Sequence, residues 1–304
     1  MKFIDNQQVY TTHGRFNTPS LSVNPGESFR VHTELCTGPW LQSTEDIWGP
    51  HQTNRKGPNP CVCVEITGAQ PGEMLAVHIL DIVPDNVGYT VLDEHALVPR
   101  LIGQQASDSP HSWGFHPKTV RIANGFVEWS KNLRIPLQPM IGTIGTSPSQ
   151  EVLFNSRGGE HGGNMDVQEI CTGTTVYLPV SVPGALLHVG DVHAIQGDGE
   201  IDHSGGIECR GTVTLQVETM PMPRNMQWVR AENEEYLIAI ACCRSTDESF
   251  YAATNELIQF MTERTGMTIQ DAYMLLAQVL NARCTQFVNP TRTYICKIAK
   301  KYLV

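Results

Sequence analysis

Residues Ile207–Val217 read IECRGTVTLQV, in which apolar and polar side chains alternate. Successive side chains of a β-strand point to opposite faces of its sheet, so the pattern predicts a strand with one buried face. Cys209 and Val213 belong to the apolar face, and Glu208 and Arg210 to the other. Glu208 could face a binding site or lie in solvent beside Arg210, and the pattern leaves both readings open.

Other segments repeat this period of two, and glycine or proline bounds most of them. They are Phe29–Glu34, Cys61–Ile66, Met74–Val83, Val176–Val182, Ala185–Val189 and Glu235–Cys242. The 26 glycines and 19 prolines are typical of a chain in which many turns join short strands. The sequence therefore predicts a β-rich protein.

The pattern changes after Arg244. Ser245 to Glu248 and Thr268 to Asp271 follow the spacing of a capping box, and each opens a stretch of helical period. The first helix should end before Gly266, because glycine commonly terminates helices. The alternation resumes over Gln286–Ile298, which predicts an edge strand.

These elements together predict a β-rich α+β fold, with a β-sandwich-like main body and a smaller C-terminal α+β part. We place the β-rich body, which carries the candidate site, at residues 1–220 and the α+β part with its two helices at residues 221–304. The length of 304 residues suits one large domain or two interlocked ones.

Charge and hydropathy exclude several classes of partner. The formal net charge is −10, and Lys297, Lys300 and Lys301 form the only concentration of basic residues, so we expect no nucleic-acid binding. The first residues lack the apolar core of a signal peptide, and no run approaches the roughly 18 apolar residues of a membrane span. We therefore expect a soluble, cytoplasmic protein that does not bind membranes.

The nine cysteines are odd in number. Neither the Cys61/Cys63 spacing nor the Cys242/Cys243 pair suits a disulfide framework or a four-cysteine zinc site. We expect reduced, structural thiols, with Cys171 among them.

Two glycine-rich segments hold the strongest candidates for chemistry. Gly158–Asp166 reads GGEHGGNMD, and its glycines would let the backbone turn sharply and hold Asn164 and Asp166 against a ligand. No Gly-Lys-Ser/Thr follows, which argues against a phosphate loop. A plain hairpin loop remains the alternative.

The second segment, Gly190–Ile201, reads GDVHAIQGDGEI. If its strand continues, Asp191 and His193 lie on one face, where the carboxylate could orient the imidazole or both could bind a metal ion. Gln196, Asp198 and Glu200 repeat the spacing and could supply a general acid and base. A polar turn with a satisfied histidine remains the alternative.

An early strand, Val31–Cys36, would carry His32, Glu34 and Cys36 on one face. These side chains could bind a metal, or Cys36 could act as a nucleophile beside His32. A strand with one polar face explains them equally well.

Several motifs spread along the chain resemble the acetamidase/formamidase family. They are Gly57–Pro60 (GPNP), Gly68–Glu73 (GAQPGE), Ile79–Ile82 (ILDI), Gly159–Asp166 (GEHGGNMD), Thr172–Asp191 (TGTTVYLPVSVPGALLHVGD), His193–Glu200 (HAIQGDGE), Asp271–Leu276 (DAYMLL) and Gln286–Pro290 (QFVNP). The pairing of HAIQGDGE with an upstream GGNMD is the most specific part.

The resemblance implies an enzyme that hydrolyses small carboxamides to a carboxylic acid and ammonia. It also implies a homo-oligomer, a dimer or larger, with a bound divalent metal in some members. Zinc is the metal we expect first, with calcium as the alternative, because zinc activates water and polarises a carbonyl group.

On this interpretation Asp166 and His193 are metal ligands, and Glu208 is either a further ligand or a residue that holds a ligand in place. The resemblance also implies catalytic roles. Asn164 and Gln196 would orient the amide, and Asp198 or Glu200 would act as base and then as acid toward ammonia.

The sequence departs from the family pattern at His32–Leu35, where the family tends to carry Glu-Thr-x-Asp, and between Glu200 and Glu208, where Asp202 and His203 lengthen the connection. These changes leave a lactam or a urea-like substrate open. Two other functions also stay open: an amidase with Cys36 or Cys171 as nucleophile, and a non-catalytic β-sandwich module that binds calcium or a small ligand.

Overall fold

The computed structural model describes residues 1–47, 59–92, 116–202 and 204–303. Within them the strands are β1 (Lys2–Ile4), β2 (Thr12–His13), β3 (Leu21–Val23), β4 (Ser28–His32), β5 (Cys61–Ile66), β6 (Glu73–Leu92), β7 (His116–Ala123), β8 (Phe126–Ser130), β9 (Leu133–Pro136), β10 (Met140–Gly145), β11 (Leu153–Phe154), β12 (Gly162–Asn164), β13 (Thr175–Pro179), β14 (Leu187–His193), β15 (Glu208–Pro221), β16 (Val229–Glu232), β17 (Tyr236–Cys243), β18 (Asn281–Gln286) and β19 (Arg292–Ala299). The helices are α1 (Thr246–Thr265) and α2 (Ile269–Val279), and a short 3-10 helix spans Lys300–Tyr302.

One continuous hydrogen-bonded sheet contains every described strand except β2 and β11, which pair with each other. The 20-residue strand β6 lies within this sheet and pairs antiparallel with β7, β13 and β15. Parallel pairing occurs between β1 and β4 and between β3 and β5. The prediction of a β-rich α+β fold is confirmed, and each of the alternating runs contributes to a strand.

The helices pack on one side of the C-terminal strands. Helix α1 buries Ala253, Leu257 and Met261 against β17 and β19, in an apolar cluster separate from the main core of the sheet. Ser245 and Glu248 complete a capping box, and Gly266 ends the helix with a left-handed φ of 73°. Neither described helix is long and apolar enough to cross a membrane.

Two details of the C-terminal part differ from expectation. The prediction of an edge strand over Gln286–Ile298 is wrong, because β19 pairs with β17 on one side and with β18 on the other. The polar segment of β18 gave no alternation to reveal it. At α2, the Asp271 carboxylate accepts a hydrogen bond from the Thr268 hydroxyl, so this capping box is incomplete. The division of the chain at residue 220 stays a prediction.

A buried ion pair connects α1 to strand β16 of the sheet. Arg230 of β16 donates from Nε to Glu256 at 2.5 Å, and both side chains are 1% exposed. Glu256 also accepts from the backbone N–H groups of Gln227 and Trp228 at 3.0 and 3.1 Å. Removing the charge of Glu256 would leave the buried Arg230 guanidinium with one carboxylate partner fewer. This is costly because a buried charge is kept from water.

We therefore expect Glu256→Gln to lower the free energy of unfolding by about 2 kcal/mol, since hydrogen bonds to charged groups contribute about that much. Urea denaturation measures it. Glu128→Gln is the matched control, because Glu128 lies 4.0 Å from a largely exposed Arg121, and such surface pairs contribute about 0–1 kcal/mol. Equal losses in the two variants would contradict this account of the helix attachment.

Four neighbouring strands bring the candidate residues together. Strand β14 pairs antiparallel with β10, where His193 faces Met140, and the end of β14 pairs with β15, where His193 faces Glu208. The Gly162–Asn164 strand β12 pairs with the other side of β10. The two glycine-rich segments of the sequence therefore lie on either side of β10, next to Gly142 and Thr143.

Candidate active site

A cavity of about 490 Å³ opens where these strands meet. Its polar lining comes from loops as well as strands: Cys36, Thr37, Asn59, Tyr89, Ser156, Asn164, Asp166, Asp191, His193, Glu200, Ser204, Glu208 and Asn289. Val91, Val288 and Pro290 supply apolar surface. Among the described residues that line the cavity there is no lysine and no arginine.

The cavity concentrates buried negative charge. Asp166, Asp191, Glu200 and Glu208 are between 1% and 6% exposed, and His193, 1% exposed, is their only basic neighbour in the described lining. Burying an uncompensated carboxylate is costly, so such groups acquire a proton or a cation. This arrangement is therefore one that a bound cation would stabilise.

The pKa values of these groups are consistent with the same excess of buried carboxylates over basic groups. Burial, aided by Asp191, raises the pKa of Asp166 to about 7. Burial also raises the pKa of Glu200 and of Glu208 well above the usual range for glutamate, with repulsion from neighbouring carboxylates adding to it. Burial lowers the pKa of His193, but the surrounding carboxylates more than compensate and raise it well above its ordinary value.

The orientation of His193 leaves one ring nitrogen directed at the carboxylates. Its Nδ1 contacts the carbonyl oxygen of Gly205, which can only accept, so Nδ1 carries the proton and Nε2 is free to act as a ligand. Nε2 lies 3.6 Å from Asp191 Oδ2 and 3.8 Å from Asp166 Oδ1. It has no hydrogen-bond partner among the described residues.

Gly142 of β10 faces the same three atoms. A methyl carbon placed on it would lie 2.5 Å from His193 Nε2, 2.6 Å from Asp191 Oδ2 and 2.8 Å from Asp166 Oδ1. One imidazole and two carboxylates thus surround a single point at short range. Such a donor set suits zinc or a similar divalent cation, so the residues present fit a metal ion.

The acids are held in an unusual backbone conformation. Asp166, Asp191 and Glu200 have φ values of 51°, 61° and 48°, in the left-handed region that non-glycine residues rarely adopt. Each such residue costs of the order of 1–3 kcal/mol and persists only where its surroundings enforce it. The strain directs three carboxylates into one cavity, as is typical of functional sites.

Neutral side chains fix two of these acids. Asn59 donates to Asp191 Oδ2 at 2.9 Å, and Thr143 Oγ1 lies 3.0 Å from the same oxygen. Asn289 donates to Asp166 Oδ2 at 3.2 Å. The sequence alone did not indicate a role for Asn59 or Asn289. Asn59 lies in the GPNP motif and Asn289 in the QFVNP motif, so these motifs were the signal that could have identified them.

The structure brings together Asn164, Asp166, His193, Glu200 and Glu208, all predicted site residues, with Asp191, which its spacing from His193 also offered as a ligand. The two remaining predicted residues do not line the cavity.

Gln196 is buried behind it, with Nε2 3.5 Å from the carbonyl oxygen of Asp166. The Asp198 side chain is 62% exposed and accepts from Arg283 Nε at 2.7 Å. Neither side chain lines the described cavity, so the geometry does not support the roles predicted for them, and those roles stay predictions.

The structure therefore distinguishes Asp198 from Glu200, which the sequence alone left as equal candidates for the base. We expect Asp198→Asn to lower kcat by no more than about tenfold, because its carboxylate lies outside the cavity and Arg283 keeps its two bonds to Glu169, at 2.7 and 2.8 Å. Steady-state ammonia release from a small amide measures it. A loss equal to that of the Glu200→Gln variant would return Asp198 to the reaction.

The early strand does not present a ligand set. Strand β4 ends at His32, so alternation does not continue through Glu34 and Cys36. His32 lies 3.3 Å from Asp85, and Glu34 accepts from Arg210 Nε at 2.6 Å. Of the three, Cys36 alone lines the cavity. Cys171 is half-buried and is not part of the described lining, and His203 lies outside the described residues.

Comparison with known proteins identifies the family. The sequence model described as the Acetamidase/Formamidase family matches residues 4–158 and 155–296. The chain belongs to the Acetamidase/Formamidase family. This confirms the resemblance drawn from the motifs, and GEHGGNMD and HAIQGDGE both lie in the matched region.

Relatives in the Acetamidase/Formamidase family include a formamidase of Methylophilus methylotrophus, 45% identical over 263 residues, with 64% of this chain and 60% of that protein covered. An acetamidase of Mycolicibacterium smegmatis is 26% identical over 273 residues, with 69% and 66% covered. The chain thus spans about 60% to 66% of the length of these relatives. A solved acetamidase from Bacillus halodurans matches with a TM-score of 0.86 at 33% identity, over 99% of this chain and 98% of that one.

Proposed function

We propose that the chain hydrolyses small, uncharged carboxamides to a carboxylic acid and ammonia at the 490 Å³ cavity, with a divalent cation held by Asp166, Asp191 and His193. The observation that carries the proposal is the convergence of the three ligand groups: His193 Nε2 lies 3.6 Å from Asp191 Oδ2 and 3.8 Å from Asp166 Oδ1, and the ligand atoms all lie within 4.8 Å of one another. Membership of the family supports the reaction class.

Zinc is the cation we propose, because imidazole and carboxylate ligands in a four-coordinate site suit it. When bound, it would supply Lewis-acid activation of a water molecule and polarise the amide carbonyl group. Asn59 and Asn289 hold the ligand carboxylates in place through the hydrogen bonds described above. Their amides carry no charge, so they orient Asp191 and Asp166 without competing for the cation.

We assign proton transfer to Glu200. Its side chain is 6% exposed, and its Oε2 has no hydrogen-bond partner among the described residues. Burial raises its pKa, which brings a carboxyl group closer to the range in which it can both take a proton from water and return one to the leaving nitrogen. We assign orientation of the amide to Asn164, which is 4% exposed and lines the cavity.

The charge of the cavity defines the substrate class. The described lining has no lysine or arginine that could bind a carboxylate of the substrate, which supports an uncharged substrate. The volume and the apolar surface of Val91 and Val288 admit a short acyl group. The relatives named formamidase and acetamidase support the same class, so formamide and acetamide are the first substrates to test.

A cysteine nucleophile has less support. Cys36 lines the cavity, but burial together with Glu208 and Asp191 raises the pKa of its thiol well above the ordinary value, which is the opposite of what activates a cysteine. Burial likewise raises the pKa of Cys171.

The test is ammonia release by the zinc-loaded protein from formamide, acetamide and propionamide, compared with an amide of similar size that bears a carboxylate. We expect turnover of the neutral amides and little of the anionic one. Absence of ammonia from all the neutral amides would reject the proposal. Activity that survives alkylation of the accessible thiols would separate the water mechanism from a cysteine mechanism.

A further inference from the structure

A second set of ligand atoms shares Asp191 with the first. The ligand atoms of Cys36, Asp191 and Glu208 all lie within 4.8 Å of one another, as do those of Asp166, Asp191 and His193. The Glu208 carboxylate therefore lies with the ligand atoms of Cys36 and Asp191. The sequence analysis had grouped it with Asp166 and His193.

The buried charge exceeds what one cation balances. A divalent ion between Asp166, Asp191 and His193 offsets two of the four buried carboxylates, which leaves Glu200 and Glu208. Glu200 has the proton-transfer role proposed above. Glu208, 3% exposed, has an Oε2 atom without a hydrogen-bond partner among the described residues, and the basic residue opposite it, His193, is already a proposed ligand of the first ion. A buried carboxylate acquires a proton or a cation, and the ligand atoms of Cys36 and Asp191 beside Glu208 favour a cation here.

The donor atoms of the second set define the class of ion. Calcium and magnesium take oxygen ligands, whereas a thiolate selects zinc and related borderline cations. The Cys36 Sγ atom lies 2.9 Å from Asn59 Oδ1, and Asn59 in turn donates to Asp191, so the thiol is held beside the shared carboxylate.

We propose that the cavity binds two divalent cations of the zinc class, the second one between Cys36, Asp191 and Glu208, with Asp191 contributing to both positions. The inference rests on the proposed metal centre and extends it. Hydrolytic enzymes with paired metal ions use the second one to help hold the substrate and stabilise developing negative charge. In this chain Glu208 and Cys36 would thus contribute to hydrolysis by binding the second ion.

The test is the metal content of the full chain, stripped with a chelator, reloaded with zinc, freed of excess ion and measured by mass spectrometry. We expect two equivalents in the natural sequence, one in Cys36→Ser and one in His193→Ala. Cys171→Ser is the matched control and should keep both, because Cys171 is not in the described lining. A single equivalent in the natural sequence, or two in Cys36→Ser, would overturn the second position.

Cobalt gives a spectroscopic signature of the thiolate ligand. Titrating cobalt(II) into the stripped protein should produce a near-ultraviolet thiolate-to-cobalt charge-transfer band, which Cys36→Ser and Cys36→Ala should lack. If both variants fail to fold, the band in the natural sequence still decides, since its absence at saturation overturns the proposal.

The outcome also separates this inference from the proposed function. If His193→Ala loses one equivalent and no thiolate band forms, the first cation stands and the second falls. If His193→Ala loses nothing, the proposed metal centre itself is wrong.

Discussion

Gly142→Ala should abolish both zinc binding at the first position and amide hydrolysis. Its methyl carbon would lie 2.5–2.8 Å from the ligand atoms of His193, Asp191 and Asp166, where it would obstruct any ion that those three atoms share. Gly142 does not have a positive φ, so alanine suits its backbone and the effect comes from the methyl group alone. We expect kcat/KM to fall about a thousandfold or more, the equivalent of about 4 kcal/mol of transition-state stabilisation.

Gly14→Ala is the matched control. Its methyl group would meet Val152 and Asn17 at 3.4–3.6 Å, which is ordinary van der Waals contact, and Gly14 is not in the described cavity lining. Metal content and kcat/KM should both stay close to those of the natural sequence. Gly142→Ala protein that binds zinc fully and turns over amide at the natural rate would contradict the position assigned to the cation.

Glu200→Gln should lower kcat by about a hundredfold to ten-thousandfold, the range typical of lost general acid–base catalysis. The substitution keeps the shape of the side chain but removes its capacity to accept and return a proton. Zinc content should not change, because Glu200 is not among the three ligands of the first position. Steady-state ammonia release together with metal analysis measures both quantities.

Activity within tenfold of the natural sequence would remove Glu200 from proton transfer. A loss of zinc in parallel with activity would instead make Glu200 a ligand. Comparison with Asp198→Asn then decides between the two acids of the GDGE segment, Gly197–Glu200, because those side chains differ in burial and in partners.

The sequence predicted the framework of the site better than its details. Strand β14 continues through His193, so Asp191 and His193 both reach the site, although Asp191 has a left-handed φ of 61° and not the regular strand geometry that the spacing assumed. The same reasoning treated Asp198 and Glu200 as equivalent, because they are also two residues apart. Gly199 and Glu200 have φ values of 87° and 48°, and this turn directs Glu200 inward while Asp198 reaches Arg283 at the surface.

Other parts of the site depend on contacts that span much of the chain. Asn59 contacts Asp191 across 132 residues of sequence, and Asn289 contacts Asp166 across 123. The periodicity of a sequence cannot predict contacts between segments so far apart. The pattern of Ile207–Val217 could not tell whether Glu208 faced solvent or a site, because a polar face of a strand is compatible with both. Cys36 was considered with His32 and Glu34, but β4 ends before it and its neighbours are Asp191 and Glu208.

The central claim is that Asp166, Asp191 and His193 hold a divalent cation in the cavity. Anomalous diffraction from crystals of active, zinc-loaded protein at the zinc absorption edge tests it most directly. The account predicts a peak bound by His193 Nε2 and one oxygen each of Asp166 and Asp191, at about 2.0–2.2 Å. Crystals of active protein without a peak at those three atoms would contradict it.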